Sequence, residues 1–207
     1  MADPISSASL DEQKAALRKK NAAIRAAAAK ADPESATRLA RHAAAFGAAL
    51  LPARSMIVAG YWPIKSEIDP VPMMAALAAA GYQTALPSTP EPGQPLVFHL
   101  WQPGDALIDG LYGTSEPPQS APVCQPDCLL VPMLAFDADF FRLGYGGGFY
   151  DRSLEAIRKD KPDVIAVGIA YPEQQVANVP TGPHDARLDA VLTPDGLLQP
   201  ASQQEKA

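Results

Sequence analysis

Residues 142–152 read Arg-Leu-Gly-Tyr-Gly-Gly-Gly-Phe-Tyr-Asp-Arg, four glycines held between two cations and followed by the carboxylate of Asp151. Glycine tolerates positive φ and carries no Cβ, so consecutive backbone N–H groups can converge on the oxygens of a phosphate. Arg142 and Arg152 would add fixed positive charge, and Asp151 a hard oxygen suited to magnesium. The segment is expected to cradle an anion with a metal beside it. It is neither of the familiar nucleotide loops. A P-loop requires lysine and then serine or threonine after its last glycine, where this chain has Phe149 and Tyr150. A dinucleotide fingerprint beginning at Gly144 would place its third glycine at position 149, which Phe149 occupies.

Other residues could serve the same ligand. Lys14 and Arg18 lie four apart on a predicted helix, which sets both cationic ends on one face, a grip suited to polyphosphate. Lys19, Lys20 and Arg25 close by make a solvated basic helix face the competing reading. Glu67 follows a strand-to-loop junction, where its carboxylate could accept hydrogen bonds from an amino-substituted heterocycle, with Trp62 as an apolar or stacking surface. Tyr112, between two glycines, is a weaker aromatic candidate of the same kind. Asp185 could join Asp151 as a metal or metal-water ligand, with Asp189 as a competing carboxylate, and His184 is assigned no catalytic role. Cys124 and Cys128 lack the further cysteines or histidines of a zinc site and read as free thiols. No G-x-S-x-G, H-E-x-x-H or Cys-His pattern occurs.

The elements that must position these groups follow from pattern. The chain has 207 residues, 47% of them apolar, enough for one domain over residues 1–207 with a continuous core. A formal charge of −6 argues against general nucleic-acid binding, which needs a broad basic face. No apolar run approaches the ~20 residues of a membrane helix, and the first ten residues do not read as a secretory leader, so a cytoplasmic location without membrane contact is expected. Ser9 and Glu12 form a capping box ahead of an alanine-rich helix ending near residue 31. A second helix is expected from Pro33 to about residue 50, with Asp32 as its N-cap and Leu39, Ala43, Phe46 and Leu50 on one face, completing a helical hairpin. Strand-length apolar runs follow at 56–62, 83–86, 96–101, 128–134, 164–170 and 190–192, with helices at 72–80 and 150–159 between them. This alternation predicts an α/β fold, a mostly parallel sheet with helices on both faces and ligands beyond the carboxyl ends of the strands. A helical part over about 10–50, a sheet-bearing body over about 55–195 and a flexible tail over about 199–207 are expected.

Taken in order, these blocks resemble the 5-formyltetrahydrofolate cyclo-ligase, or methenyltetrahydrofolate synthetase, family. The residues that carry the resemblance are Val131-Pro132-Met133-Leu134-Ala135-Phe136-Asp137 with the block 142–151, supported by Lys14-x-x-Leu17-Arg18, the segment 61–67, Glu116-Pro117, and the segment 174–185 with Asp189 and Thr193. The resemblance implies a three-layer α/β fold related to the sugar-phosphate isomerase and coenzyme A transferase group. It implies conversion of 5-formyltetrahydrofolate, with or without a polyglutamate tail, to 5,10-methenyltetrahydrofolate, with ATP as co-substrate and Mg2+ required. Lys14 and Arg142 would be catalytic. ATP would be held by Lys14, Arg18, Arg142, Gly144, Tyr145, Gly146, Gly147, Gly148, Phe149 and Tyr150. Folate would contact Trp62, Glu67, Tyr112, Tyr145 and Phe149, and the metal Asp151 and Asp185. A monomer or weak homo-oligomer is expected. The family often has glycine in the turn before Arg142, where this chain has Phe140. A phenylalanine does not cheaply adopt positive φ, so that turn is expected to be reshaped. A sugar-phosphate isomerase or acyl-transfer relative, needing no ATP, and a regulator that binds without turnover are the competing readings.

Overall fold

The computed structural model describes residues 8–200, apart from the side chain of Tyr112, so residues 201–207 of the expected tail lie outside the described residues. The Glu12 carboxylate accepts the Ser9 N–H at 2.8 Å while the Ser9 hydroxyl accepts the Glu12 N–H at 3.3 Å. This capping box starts helix α1 (Leu10–Ala31) where the sequence places it. The face of α1 turned toward the protein carries Lys14, Leu17, Arg18, Asn21, Arg25 and Ala28, a stripe that repeats every three or four residues with Leu17 and Arg18 side by side on it. Three of those six are cations, so apolar burial cannot seat this helix by itself. The loops it meets must supply oxygen partners.

The second helical arm is two helices, α2 (Ser35–Arg41) and α3 (Ala43–Leu50), broken at His42. Asp32 closes α1 instead of capping α2, and its carboxylate accepts from Arg38 at 2.7 Å. Glu34 takes the N-cap position with no side-chain hydrogen bond. The predicted apolar face survives the break, because Leu39, Ala43, Phe46 and Leu50 are all buried. His42 Nε2 reaches the Pro194 carbonyl at 3.0 Å, which ties the bend to the far end of the sheet.

The strands are β1 (Ile57–Ala59), β2 (Gln83–Ser88), β3 (Val97–Leu100), β4 (Ile108–Asp109), β5 (Ser115–Glu116), β6 (Val123–Cys124), β7 (Cys128–Pro132), β8 (Ala135–Phe136), β9 (Arg142–Leu143), β10 (Ile165–Ile169), β11 (Ala190–Thr193) and β12 (Gly196–Leu198). Eight form one sheet in the order β12-β11-β10-β7-β1-β2-β3-β6. Pairing is parallel from β11 to β2 and antiparallel at both margins. Every residue of the central β7 but Pro132 is buried, as a strand covered on both faces requires. Helices α2, α3 and α4 (Val71–Ala79) contribute to the core on one face, where Leu39, Phe46, Met74 and Leu77 meet Val58 and Leu130. Helix α5 (Phe149–Asp160) covers the other, with Leu154 and Ile157 in a cluster that includes Ala59, Leu129 and Val131. The architecture is the predicted three-layer α/β arrangement. No helix among the described residues is long and apolar enough to cross a membrane.

Beyond β7 the chain makes a short hairpin, β8 to β9, that aims Arg142 at the carboxyl edge of the sheet. Its turn is organised by buried Asp137, whose carboxylate accepts the N–H groups of Asp139 and Phe141 at 3.0 Å each and of Val179 at 2.9 Å. Phe140 itself adopts a left-handed φ of 65°. The expected reshaping therefore does not relieve the residue: it takes the strained conformation, which costs about 1–2 kcal/mol. Burial of its ring in the apolar cluster that includes Leu188, and the bond from the Leu188 N–H to its carbonyl at 3.0 Å, offset that cost.

Candidate active site

The loops after β1, β7, β9 and the segment before β11 converge at the carboxyl ends of the parallel strands. There they enclose a cavity of about 730 Å³ whose lining includes Lys14, Arg18, Trp62, Glu67, Arg142, Tyr145, Phe149, Asp151 and Asp185. The glycine segment forms its floor. Gly146 and Gly148 have φ of 100° and 66°, and Gly148 is the N-cap of α5. The first free N–H groups of a twelve-residue helix thus open onto the cavity, a geometry suited to an anion. Side chains stand close over the loop backbone. A Cβ at Gly146 would lie 3.2 Å from the Arg18 guanidinium, and one at Gly147 would lie 2.9 Å from the Phe149 ring.

The basic residues divide by partner. Arg18 donates from Nε to the Gly144 carbonyl at 3.0 Å, pinning α1 to the loop. Lys14 Nζ meets Asp185 Oδ2 at 2.5 Å, and that oxygen also accepts the Gly182 N–H at 2.6 Å. Arg142 gives Nη2 to Asp151 Oδ1 at 2.7 Å and Nη1 to the Ala186 carbonyl at 2.5 Å, while Asp151 Oδ1 accepts the Ala186 N–H at 3.0 Å. Two ion pairs, drawn from α1, β9, α5 and the segment before β11, therefore stand side by side across residues 185 and 186. Burial works to raise the Asp185 carboxyl, but the Lys14 ammonium, the Gly182 N–H and the charge of Arg142 outweigh it, holding the group below its ordinary value and ionised at neutral pH. Arg152, expected to flank the ligand, instead bonds the carbonyls of Gly147 at 2.7 Å and Gln94 at 3.3 Å, bracing the loop from outside the cavity.

The two carboxylates near the C-terminus lie at opposite edges of the sheet. Asp189 accepts the Ala166 N–H at 2.7 Å and meets Arg158 at 3.4 Å, at the amino ends of β10 and β11, opposite the cavity. Asp185 is on the cavity wall. Among the described residues no cluster of three or more His, Cys, Asp or Glu side chains could enclose a metal. Asp151 and Asp185, two hard oxygen donors beside an anion cradle, suit Mg2+, which commonly keeps its waters and takes phosphate oxygens as further ligands.

On the other wall, Glu67 is almost fully enclosed. Its Oε2 accepts the Ile64 N–H at 2.9 Å, and Oε1 meets Arg25 Nη1 at 3.4 Å. Burial raises its carboxyl above the ordinary value, with Ile64 and Arg25 opposing. Trp62 is half-buried and packs edge-on against Trp101, ring centroids 6.3 Å apart. Tyr145 projects from the glycine loop with its ring 5.3 Å from the Arg25 guanidinium and 5.0 Å from Lys65 Nζ. Tyr150 lines the cavity, and burial raises its phenol well above the ordinary value. The backbone of Tyr112 lies in a 3-10 turn, Leu111–Gly113, and its side chain lies outside the described residues. Its neighbour Thr114 lines the cavity.

Arg25 is the residue that sequence reading misplaced. It is 2% exposed and does not belong to a solvated face. It donates to Ser66 Oγ at 3.1 Å, to the Met133 carbonyl at 3.2 Å and to the Tyr145 hydroxyl, besides Glu67. The available signal was its spacing: Arg25 follows Arg18 by seven positions and so shares its stripe. Lys19 and Lys20 are exposed, as expected of a solvated face.

The family model for 5-formyltetrahydrofolate cyclo-ligases matches residues 10–194. The chain is 32% identical over 145 residues to the 5-formyltetrahydrofolate cyclo-ligase of Mycolicibacterium smegmatis, covering 66% of this chain and 73% of that protein. It is 33% identical over 147 residues to the enzyme of the same name from Escherichia coli K12, covering 69% and 80%. Among solved structures, the 5,10-methenyltetrahydrofolate synthetase of Aquifex aeolicus superimposes with a TM-score of 0.71 at 26% identity, covering 91% of this chain and 93% of that one. The synthetase of Mycoplasma pneumoniae shares the fold, with a TM-score of 0.66 at 24% identity over 87% and 98% of the two chains.

Proposed function

The chain belongs to the 5-formyltetrahydrofolate cyclo-ligase family, and we propose that this ligase closes 5-formyltetrahydrofolate to 5,10-methenyltetrahydrofolate at the expense of ATP, which leaves as ADP and phosphate. The observation that carries this reading is the pair of neighbouring ion pairs, Lys14 to Asp185 and Arg142 to Asp151, on one side of a glycine-lined cavity with Glu67 on the other. One side suits polyphosphate and a divalent cation, the other a heterocycle rich in N–H donors.

In this reading the ATP phosphates lie on the backbone of residues 144–148 and the start of α5, with Lys14, Arg18 and Arg142 neutralising their charge. Phe149 and Tyr150 line the same floor. Asp151 and Asp185 would hold Mg2+, which would supply neutralisation of charge on the phosphate oxygens. Lys14 and Arg142 each exchange a carboxylate partner for a phosphate as the ligand arrives. The folate lies between Trp62, Glu67, Tyr145 and Phe149, with Tyr112 at the edge of its site. Glu67 accepts from the amino-bearing ring, which fixes the formyl group toward the γ-phosphate.

No protein nucleophile is required. The formamide oxygen attacks the γ-phosphorus and the bond to ADP breaks, giving an imidate phosphate on the substrate. N10 then bonds to the formyl carbon, its proton passes to the departing phosphate, and the C–O bond breaks as phosphate leaves with the former formyl oxygen. Such a transfer depends on alignment and charge compensation, which Arg142, Lys14 and fixed backbone N–H groups supply.

The test is incubation of pure protein with 5-formyltetrahydrofolate, ATP and Mg2+. A methenyl chromophore should appear at the violet edge of the spectrum, with one ADP per product. Binding of both ligands without product identifies a regulator, and product that forms equally without ATP contradicts the reading.

A further inference from the structure

Arg25 has more partners than seating a helix needs. Its guanidinium reaches Ser66 and Glu67 in the loop after β1, the Met133 carbonyl beyond β7, and the Tyr145 hydroxyl of the glycine loop. It thus joins α1 to three of the loops that enclose the cavity, although Arg25 itself is absent from the cavity wall. A planar fork with five donors can serve such a spread of acceptors, and an ammonium cannot. We propose that Arg25 is a positioning residue for folate recognition, which aims the Glu67 carboxylate at the substrate heterocycle and fixes the Tyr145 ring across the same pocket. The inference deepens the cyclo-ligase reading and rests on it for the identity of the heterocycle.

Charge is the means by which Arg25 acts through Glu67. A carboxylate can accept two parallel N–H groups from an amino-substituted ring, whereas a protonated carboxyl presents one donor in their place. The enclosed Glu67 faces Arg25 from α1, Lys65 and Tyr61 from its own segment, Tyr145 from the glycine loop and Tyr150 from α5. Arg25 is the one buried cation of that set; Lys65 is exposed. Burial raises the Glu67 carboxyl, and Arg25 opposes the rise. Without it the group must titrate at higher pH, so substrate affinity is lost from the acid side first.

The test compares wild type, Arg25→Met and Arg25→Lys. In Arg25→Met the KM for 5-formyltetrahydrofolate should rise about tenfold or more while the KM for ATP stays within about twofold, and the acid limb of kcat/KM for the folate should move up by about one pH unit. Arg25→Lys keeps the charge but not the fork, so its acid limb should stay in place while the folate KM still rises severalfold. Glu67 is also titrated without ligand, from its side-chain 13C carboxyl signal, and the same upward displacement is expected in Arg25→Met. An unmoved Glu67 midpoint in folded Arg25→Met, or a wild-type folate KM in Arg25→Lys, overturns the role of Arg25. A wild type that makes no product overturns the cyclo-ligase reading instead, and the carboxyl titration still decides whether Arg25 governs Glu67.

Discussion

Arg142→Ala should lower kcat by about three orders of magnitude, equivalent to roughly 4 kcal/mol of transition-state stabilisation. The expected size follows from what the side chain does. Arg142 is 8% exposed, leaves the short hairpin at β9 and is held from two sides, by Asp151 and by the Ala186 carbonyl. The Ala186 carbonyl keeps the guanidinium aimed while phosphate takes the place of Asp151, so it meets the charge developing on the transferring phosphoryl group. Arginines so placed in phosphoryl transfer are worth about 10³ to 10⁵ in rate. Alanine also leaves the Ala186 carbonyl and Asp151 short of a donor, a stability cost of about 1–3 kcal/mol. Thermal unfolding should drop by a few degrees with the native circular dichroism retained, which separates the catalytic loss from misfolding. Arg142→Lys retains charge without the fork and should fall between wild type and alanine. Near-normal kcat in Arg142→Ala would remove Arg142 from the chemistry.

Asp151→Asn should lower kcat by about two orders of magnitude and raise the Mg2+ concentration at half-maximal rate at least tenfold. Asparagine has nearly the shape of aspartate and keeps an oxygen that can accept from Arg142 or the Ala186 N–H. What disappears is the negative charge, which in the proposed reading balances Arg142 in the free enzyme and binds the metal in the complex. The magnesium titration distinguishes the two uses. Loss of Arg142 orientation alone would lower the rate at saturating metal and leave the half-maximal concentration in place. Asp189→Asn is the control. That carboxylate lies at the amino ends of the strands and supports the Ala166 N–H, so a modest loss of stability with an unchanged magnesium requirement is expected.

Local chemistry was the legible part of this chain. The capping box predicts the start of α1, the apolar runs predict six strands of the main sheet, and the glycine block predicts a loop at the carboxyl edge of the strands that leads into a helix. Each depends on residues close together in sequence, where spacing translates directly into geometry. Pairings set by tertiary placement were not legible. Lys14 and Asp185 are 171 positions apart, and preference for Asp185 over Asp189 depends on which edge of the sheet each residue reaches. The break at His42 lies within a run whose apolar spacing continues through it, so periodicity alone predicts one helix. Phe140 shows how propensity is overridden: buried Asp137 gathers three N–H groups and the ring is packed, so the fold accepts a φ that the residue type disfavours. Arg25 was masked by composition, because a basic residue among other basic residues on a polar helix reads as solvated until its stripe is compared with that of Lys14 and Arg18.

Labelling the formyl oxygen of the substrate with 18O tests the central claim most directly. If that oxygen attacks the γ-phosphate in the cavity between Glu67 and the glycine loop, the label should appear in the inorganic phosphate, one atom per methenyl product, and be absent from ADP. Product accompanied by unlabelled phosphate would contradict the account, since ATP would then be hydrolysed without its phosphorus ever bonding to the substrate.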